Sequence, residues 1–456
     1  MTKKILALLL TVAMLVVVAT GCNSNSGTTS NPSSVPGGAG DSTDVDNNGG
    51  STNDNTNSDT PNADNSTGNS STAKPTTLRG TTVKFATWED VAKTEYGPVI
   101  QAFTKKTGIK VKIVNVPQHE YITKLTGYIA AGNAPDVIKD NAEFPRTVSI
   151  TQPITASGID PKDSRWSSIV TEMSTLKGKT YLIASNQATF QTYGLLFYNK
   201  KLFANNGITT PEQYVKQNNW NWETFNKAAT DIKNAAGIKL GCVFDTGVFT
   251  CSYGAGFVKY KQGQFYSGVD EVILTDVWRF MQTGVKSGLF DLGSKTQFVE
   301  GKAGMCVTDT YGLKKSGYFS AMKSSDIGVT YLPKKDKSDK NYPRGGFVCA
   351  FGLAKGAKNP SGAGEFLKYY LDEDNYDINK IYKSTEFANF AKEIVKLPTS
   401  LNTVYWDDSL QDVTGQTFKK YVQTSDPAQV KANIEKVKNT VNGAIKKAND
   451  MLALAK

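Results

Sequence analysis

The chain has 456 residues, 39% of them hydrophobic and 21% charged, which leaves room for two or three folded domains and excludes a wholly disordered chain. Its formal charge is +10, but the lysines and arginines stand singly along the chain instead of clustering with aromatics, so a nucleic-acid binder is not indicated. His119 is the only histidine, which speaks against a structural zinc site and against a catalytic triad built on histidine.

Residues 1–22 carry Lys3 and Lys4, apolar runs over Ile5–Leu10 and Val12–Ala19, then Thr20, Gly21 and Cys22. A basic start, a short apolar core and small residues make a secretory signal, too short for a resident membrane helix. Gly21 before Cys22 resembles the lipobox of bacterial lipoproteins, although Ala19 stands where leucine is commoner. That resemblance implies cleavage before Cys22 and lipid on its thiol, and two acyl chains anchor stably where one would not. An ordinary signal peptide with an incidental cysteine is the alternative.

Residues 23–77 are almost entirely Ser, Thr, Asn, Gly, Asp and Pro. Such a segment cannot bury enough apolar surface to offset its ordering entropy, so a disordered tether is expected, with a relaxed span of roughly 40 Å and a limit of about 190 Å. Setting aside Lys3, Lys4 and Lys74 from the 52 basic side chains, and six tether aspartates from the 42 acidic ones, leaves 49 against 36 in residues 78–456. A scattered positive charge of that kind suits an anionic cell-wall setting. Cys242, Cys251, Cys306 and Cys349 could pair outside the cytoplasm, with three possible connectivities, or remain buried thiols.

From residue 78 the pattern alternates strands and helices. A strand is expected over Thr82–Thr87, a helix from about Val91 to Lys106, a strand over Ile109–Val116, a helix from about Glu120 to Ala131, and a short strand at Val137–Ile138. Strand, helix, strand favours an α/β fold with a parallel sheet and ligand loops at the strand ends. Residues 178–203 then run from a turn at Gly178 through an apolar strand, Tyr181–Ala184, and a polar stretch, Ser185–Gln187. A second apolar strand, Leu195–Tyr198, ends at Asn199, a helix cap. Two strands joined by a polar segment read as a crossing between sheets. Near the C-terminus Val430, Ile434, Val437, Val441, Ile445 and Leu452 form the stripe of a docked amphipathic helix. Trp220 and Trp222 read as packing residues at a helix entrance.

The order Phe103, Thr107-Gly108-Ile109, then Gly132-Asn133-Ala134-Pro135-Asp136-Val137 resembles the amino-terminal lobe of family 1 extracellular solute-binding proteins, the group that includes maltose-binding protein. The likeness continues through Leu195–Gly207, Trp220–Phe225, Phe298–Met305, Ile327–Pro333, Gly345-Gly346 and Gly356–Leu367. It implies a two-lobed periplasmic-binding-protein-like fold of type II, with about three crossings, near Asn186–Tyr193, Arg344–Phe347 and Leu397–Thr399. Lobe one is then 78–187 plus 346–395, and lobe two 188–345 plus 396–456.

The resemblance also implies a monomeric, cofactor-free subunit of an ABC importer. It would hold a carbohydrate between its lobes and meet permease subunits at a membrane reached through lipidated Cys22. Such a ligand wants flat aromatic faces and fixed carboxylates or amides. Tyr311 occupies the place of a stacking aromatic, with Asp309 and Thr310 beside it; Trp88, Glu89, Asp90, Asp140 and Glu143 follow strand ends in lobe one; Asn186, Gln187 and Tyr193 lie at the first crossing. Tyr253, Arg344, Phe347, Tyr405 and Trp406 complete the candidates.

Two other function classes remain in view. A secreted glycoside hydrolase needs two suitably spaced carboxylates, which the sequence neither shows nor forbids. No Gly-x-Ser-x-Gly elbow occurs, and Gly178-Lys179-Thr180 has Met173 where a phosphate loop needs glycine. A surface sugar receptor without transport is the other class.

Overall fold

The computed structural model describes residues 78–455 apart from 142–143, 145, 191, 255–256, 348, 398–399, 404–409 and 411. The expected leader, Cys22 and the tether therefore lie outside the described residues, as do Glu143, Tyr405 and Trp406.

Chain order begins with β1 (Thr82–Thr87), α1 (Gly97–Thr107), β2 (Lys110–Asn115), α2 (Tyr121–Ala130), β3 (Val137–Asn141), β4 (Thr151–Gln152) and β5 (Leu182–Ile183). β1 alternates over its first half, with Val83 and Phe85 wholly buried, and is buried on both faces at its end, where Ala86 and Thr87 are also inaccessible. The first helix starts later than the apolar spacing alone suggests. Val91–Lys93 form only a 3-10 turn, and α1 begins at Gly97 with Pro98 in its first turn, where a missing N–H costs nothing. It ends at Gly108, whose φ of 75° is the left-handed cap that favours glycine.

The chain continues with β6 (Thr192–Asn199), α3 (Lys200–Asn205), α4 (Trp222–Ala235), β7 (Leu240–Phe244), α5 (Thr246–Ser252), β8 (Val258–Lys261), β9 (Gln264–Ser267) and α6 (Glu271–Lys286). β10 (Phe290–Asp291), β11 (Ala303–Asp309), β12 (Ile327–Thr330), β13 (Gly345–Phe347), β14 (Cys349–Ala354), α7 (Pro360–Tyr370), α8 (Thr385–Ile394), β15 (Ser400–Thr403) and α9 (Pro427–Ala455) follow. Asn199 caps α3, its side chain accepting from the Leu202 N–H at 3.1 Å. Trp220 is buried just ahead of α4, whose first residue is Trp222.

Two sheets organise the molecule. The first runs β2-β1-β3-β14-β4, with β5 also on β14; the second runs β10-β7-β11-β6-β13-β15, with β12 also on β6. β1 pairs in parallel with both β2 and β3, and β7 in parallel with β10 and β11, while β6 runs antiparallel to β11, β12 and β13. The first sheet shares a core with α1 and α7 through Phe85, Phe103, Phe351 and Phe366. This is an α/β chain of two lobes.

The first passage between sheets is the segment from β5 to β6, and the second lies between β13 and β14, so Gly346 and Phe347 still belong to the second sheet. The third differs from expectation. α7 packs on the first sheet, but Tyr376, Ile381, Phe387, Ala391 and Ile394 share a core with Phe197, Phe319 and Ile327 of the second. Lys200 also pairs with Glu386 at 2.9 Å. The chain therefore returns to the second sheet over residues 371–377, ahead of α8; of the crossing expected at Leu397–Thr399, residues 398 and 399 lie outside the described residues. Residues 378–394 sit against the lobe opposite to the one the resemblance had implied, while Tyr376 still meets Tyr96, Phe190 and Tyr370.

α9 lies along the second lobe. Ile434, Val437, Val441 and Leu452 are buried, Val430 and Ile445 partly so, and Asn449 bonds both the N–H and the C=O of Phe265 in β9 at 2.9 Å. Cys242, Cys251 and Cys306 are buried thiols and Cys349 is a half-buried one, none in a disulfide, so the open question of pairing resolves as thiols. No helix among the described residues is long and apolar enough to cross a membrane.

Candidate functional site

β1 and β3 of one lobe and β11 of the other point their C-terminal ends at a cleft of about 470 Å³. The end of a parallel strand leaves backbone groups and loop side chains free of the ladder, which is why ligands collect there. Of the sequence-predicted residues, the structure brings Trp88, Glu89, Asp309 and Tyr311 to this cleft, together with Thr310.

On the first lobe Lys139 organises the wall. Its ammonium donates to Glu89 Oε2 at 3.0 Å and lies 4.5 Å from the Trp88 ring centroid, while Trp88 meets Tyr121 edge-on at 5.3 Å. The indole is thus held between a cation and a buried tyrosine, and the Glu89 carboxylate is fixed in direction. On the second lobe Asp309 accepts from the Tyr311 N–H at 2.8 Å and from the Tyr318 hydroxyl at 3.0 Å. Tyr311 and Tyr318 meet edge-on at 5.1 Å, and the Tyr311 hydroxyl donates to the Ser316 carbonyl at 2.9 Å. Each ring is locked by a partner at its edge or its hydroxyl.

Burial pushes the Asp309 carboxyl above its ordinary value, against the Tyr311 N–H, which lowers it; the neighbouring Asp245 charge adds to the rise. A folded-state value above the unfolded one means that the ionised form costs stability at neutral pH. That cost fades as pH falls through the raised value toward the unfolded one, about 3.9. Asp309→Asn, which keeps an acceptor for the Tyr311 N–H, is expected to raise the thermal midpoint at pH 7, and its advantage to vanish near pH 4. Melting curves at the two pH values check this, and a lower midpoint at pH 7 would count against it.

Other predicted residues are placed elsewhere. Asp90 forms a surface pair with Lys93 at 2.8 Å, and Asp140 is buried beneath the first wall at 1% exposure. The Asn186 side-chain amide donates to the backbone carbonyls of Ser164 and Trp166, and the Gln187 side-chain Oε1 accepts from the Glu373 N–H, so both tie down the first passage. Tyr193 is buried under the Arg344 guanidinium, whose Cζ lies 4.3 Å from the ring centroid. Tyr253 donates to the Pro333 carbonyl at 2.6 Å and accepts from Trp222 at 2.8 Å; with Arg344 it lines a separate cavity of about 370 Å³. Phe347 belongs to β13 by its backbone.

Several lining residues escaped the sequence reading: Tyr96, Lys139, Phe190, Lys314, Cys349 and Tyr370 among them. Tyr96 and Tyr370 pack 5.8 Å apart, and Phe190 and Phe351 lie 6.5 and 6.0 Å from Tyr370, so the floor of the cleft is continuous with the first-lobe core. Lys139 directly precedes Asp140 at the end of β3, and that adjacency was the available signal. Burial pushes the Cys349 thiol up. No group of His, Cys, Asp and Glu among the described residues could hold a metal ion.

Residues 99–400 match the family model of bacterial extracellular solute-binding proteins. The galactooligosaccharide-binding protein of Bacillus subtilis (strain 168) is 25% identical over 350 residues, 70% of this chain and 76% of that protein. Among solved structures, the galacto-N-biose-/lacto-N-biose I-binding protein of Bifidobacterium longum, in complex with lacto-N-biose, superposes with a TM-score of 0.61 at 15% identity, covering 81% of this chain and 98% of that one. Maltose-bound MalE3 of T. maritima gives 0.58 at 17% identity, covering 79% and 99%. These structural likenesses are likenesses of fold.

Proposed function

Since the chain belongs to the bacterial extracellular solute-binding proteins, we propose that it captures a carbohydrate between its lobes and delivers it to the permease subunits of an ABC importer. The observation that carries this reading is the lining of the cleft. Seven of its fifteen described residues are aromatic, contributed by both lobes and the first passage, and Glu89, Lys139, Asp309 and Lys314 stand among them. Aromatic faces suit the C–H surfaces of sugar rings, and oriented charges accept and donate to hydroxyls. That mixture of apolar lining and few fixed polar groups is the usual make-up of a small-ligand site. The relatives named as binding galactooligosaccharide, lacto-N-biose and maltose support an oligosaccharide as the ligand class. Trp88, Glu89, Asp309 and Tyr311 are the proposed contacts.

In this reading the protein acts as a monomer held on the outer face of the cell membrane by lipid on Cys22. The segment 23–77 is the tether that lets the lobes reach the permease. Ligand binding favours the closed lobes by its differential affinity for that state. Isothermal titration against galacto-oligosaccharides, maltodextrins, peptides and polyamines tests it. Saturable binding of a saccharide with no release of monosaccharide is expected; turnover of the saccharide would replace transport by hydrolysis.

A further inference from the structure

Beside the cleft the two lobes are joined by bonds that neither the resemblance nor the fold calls for. Lys314, in the loop after β11, is 9% exposed. Its ammonium donates to the Tyr96 hydroxyl and, at 3.1 Å, to the Thr189 carbonyl, and it lies 5.0 Å from the Tyr96 ring centroid. Two residues on, the Ser316 hydroxyl donates to the Glu95 carboxylate. Glu95 and Tyr96 stand at the entrance of α1 on the first lobe, Lys314 and Ser316 on the second, and Thr189 in the passage between them. Tyr96 and Lys314 both face the cleft.

A slot between two lobes is open along its length unless something spans it. Here two polar links span it next to the passage, and the longer link carries a buried ammonium whose bonded partners are both neutral. Burying such a charge is costly, and those bonds offset the cost only while the lobes are together. We infer that the links from Lys314 and Ser316 to Tyr96 and Glu95 wall off one side of the cleft, so that the site takes a short saccharide by a chain end. This rests on the carbohydrate reading above. The cleft volume agrees, since about 470 Å³ lies toward the lower part of the range of small-ligand sites, ~300–1,000 Å³. A ligand end set against Lys314 meets a donor that is already aimed, and units added beyond the enclosed space gain no further contact.

The test uses the full chain and two linear series, galactobiose to galactotetraose and maltose to maltopentaose. In the series that binds, affinity is expected to change by less than about twofold beyond the trisaccharide. Lys314→Ala, which removes the wall, should restore a gain of about fivefold or more for the longer members. Tyr96→Phe removes only the hydroxyl and is the milder variant if the alanine protein folds poorly; it should shift the profile the same way. Affinity that climbs with every unit in the unmodified protein, or a profile that both variants leave unchanged, would overturn the inference. If neither series binds, the carbohydrate reading fails for these sugars, and the wall is then judged without ligand. Lys314 should be acylated by an amine-reactive ester about tenfold or more slowly than exposed Lys337. Equal rates would show that no wall exists.

Discussion

Tyr311→Ala is expected to weaken saccharide binding by about 30-fold, close to 2 kcal/mol, while the protein still folds. The ring lies in the cleft with its hydroxyl held by the Ser316 carbonyl and its edge by Tyr318, so the bound orientation is prepared before ligand arrives. Little side-chain entropy is then lost on binding, and a preorganised aromatic contributes more than a mobile one. Asp309 is bonded to the Tyr311 backbone N–H, which alanine retains, so the loop keeps its cap. Tyr311→Phe separates face from hydroxyl: it keeps the stacking surface, loses the bond to Ser316, and should cost less than about fivefold. Titration calorimetry with the best saccharide, beside thermal melts of each variant, gives the comparison. An alanine variant within about twofold of the parent would remove Tyr311 from the site.

How far the sequence foretells this arrangement depends on what kind of signal each feature leaves. β1, the Asn199 cap and the 430–452 stripe were legible because alternation, cap chemistry and helical spacing are local, and the residues that create them are the ones that record them. The third passage was not. Phe387, Ala391 and Ile394 announce a buried helix face, but periodicity says only that a face is covered, never by which sheet. The site divides along the same line. Trp88 and Glu89 directly follow the expected first strand, so their position at a strand end could be read, whereas Asp309, the last residue of β11, was reached only through the resemblance. Lys314 carries no mark that separates it from the surface lysines, and Lys139 only its place beside Asp140; what makes them distinct is the Trp88 ring and the Tyr96 hydroxyl that folding brings to them. Tyr253 and Arg344 are the converse case. Arg344 stands near a passage in the sequence and Tyr253 opens a glycine-rich stretch, yet their side chains turn to the Tyr193 ring and the Pro333 carbonyl.

Arg344 carries the other large effect. It stands just before β13, its guanidinium covers the Tyr193 ring at the start of β6, and Nη1 donates to the carbonyl of Ile394 at the end of α8. One side chain thus joins the element that leads to the second passage, the strand that leaves the first, and the helix that follows the third. It is 6% exposed, and its Nε has no hydrogen-bond partner among the described residues. Burial correspondingly holds the guanidinium below its ordinary value, with Tyr193 opposing the shift.

Arg344→Ala removes the cation–π contact, takes one of two donors from the Ile394 carbonyl, which keeps the Leu397 N–H at 3.2 Å, and opens a void, for an expected loss of about 3 kcal/mol. Arg344→Met keeps most of the stem volume and removes a buried charge that has no carboxylate partner among the described residues, a gain that offsets part of the lost bonds. Its expected cost is about 1 kcal/mol. Urea unfolding with an unchanged slope measures both. Equal losses would mean that the charge, and not the packed stem, holds the three elements together. Because Thr192 beside Tyr193 lines the cleft, the alanine variant should also bind saccharide more weakly. The methionine variant, whose stem still covers Tyr193, should stay within about threefold of the parent, as befits a residue that positions the site without touching the ligand.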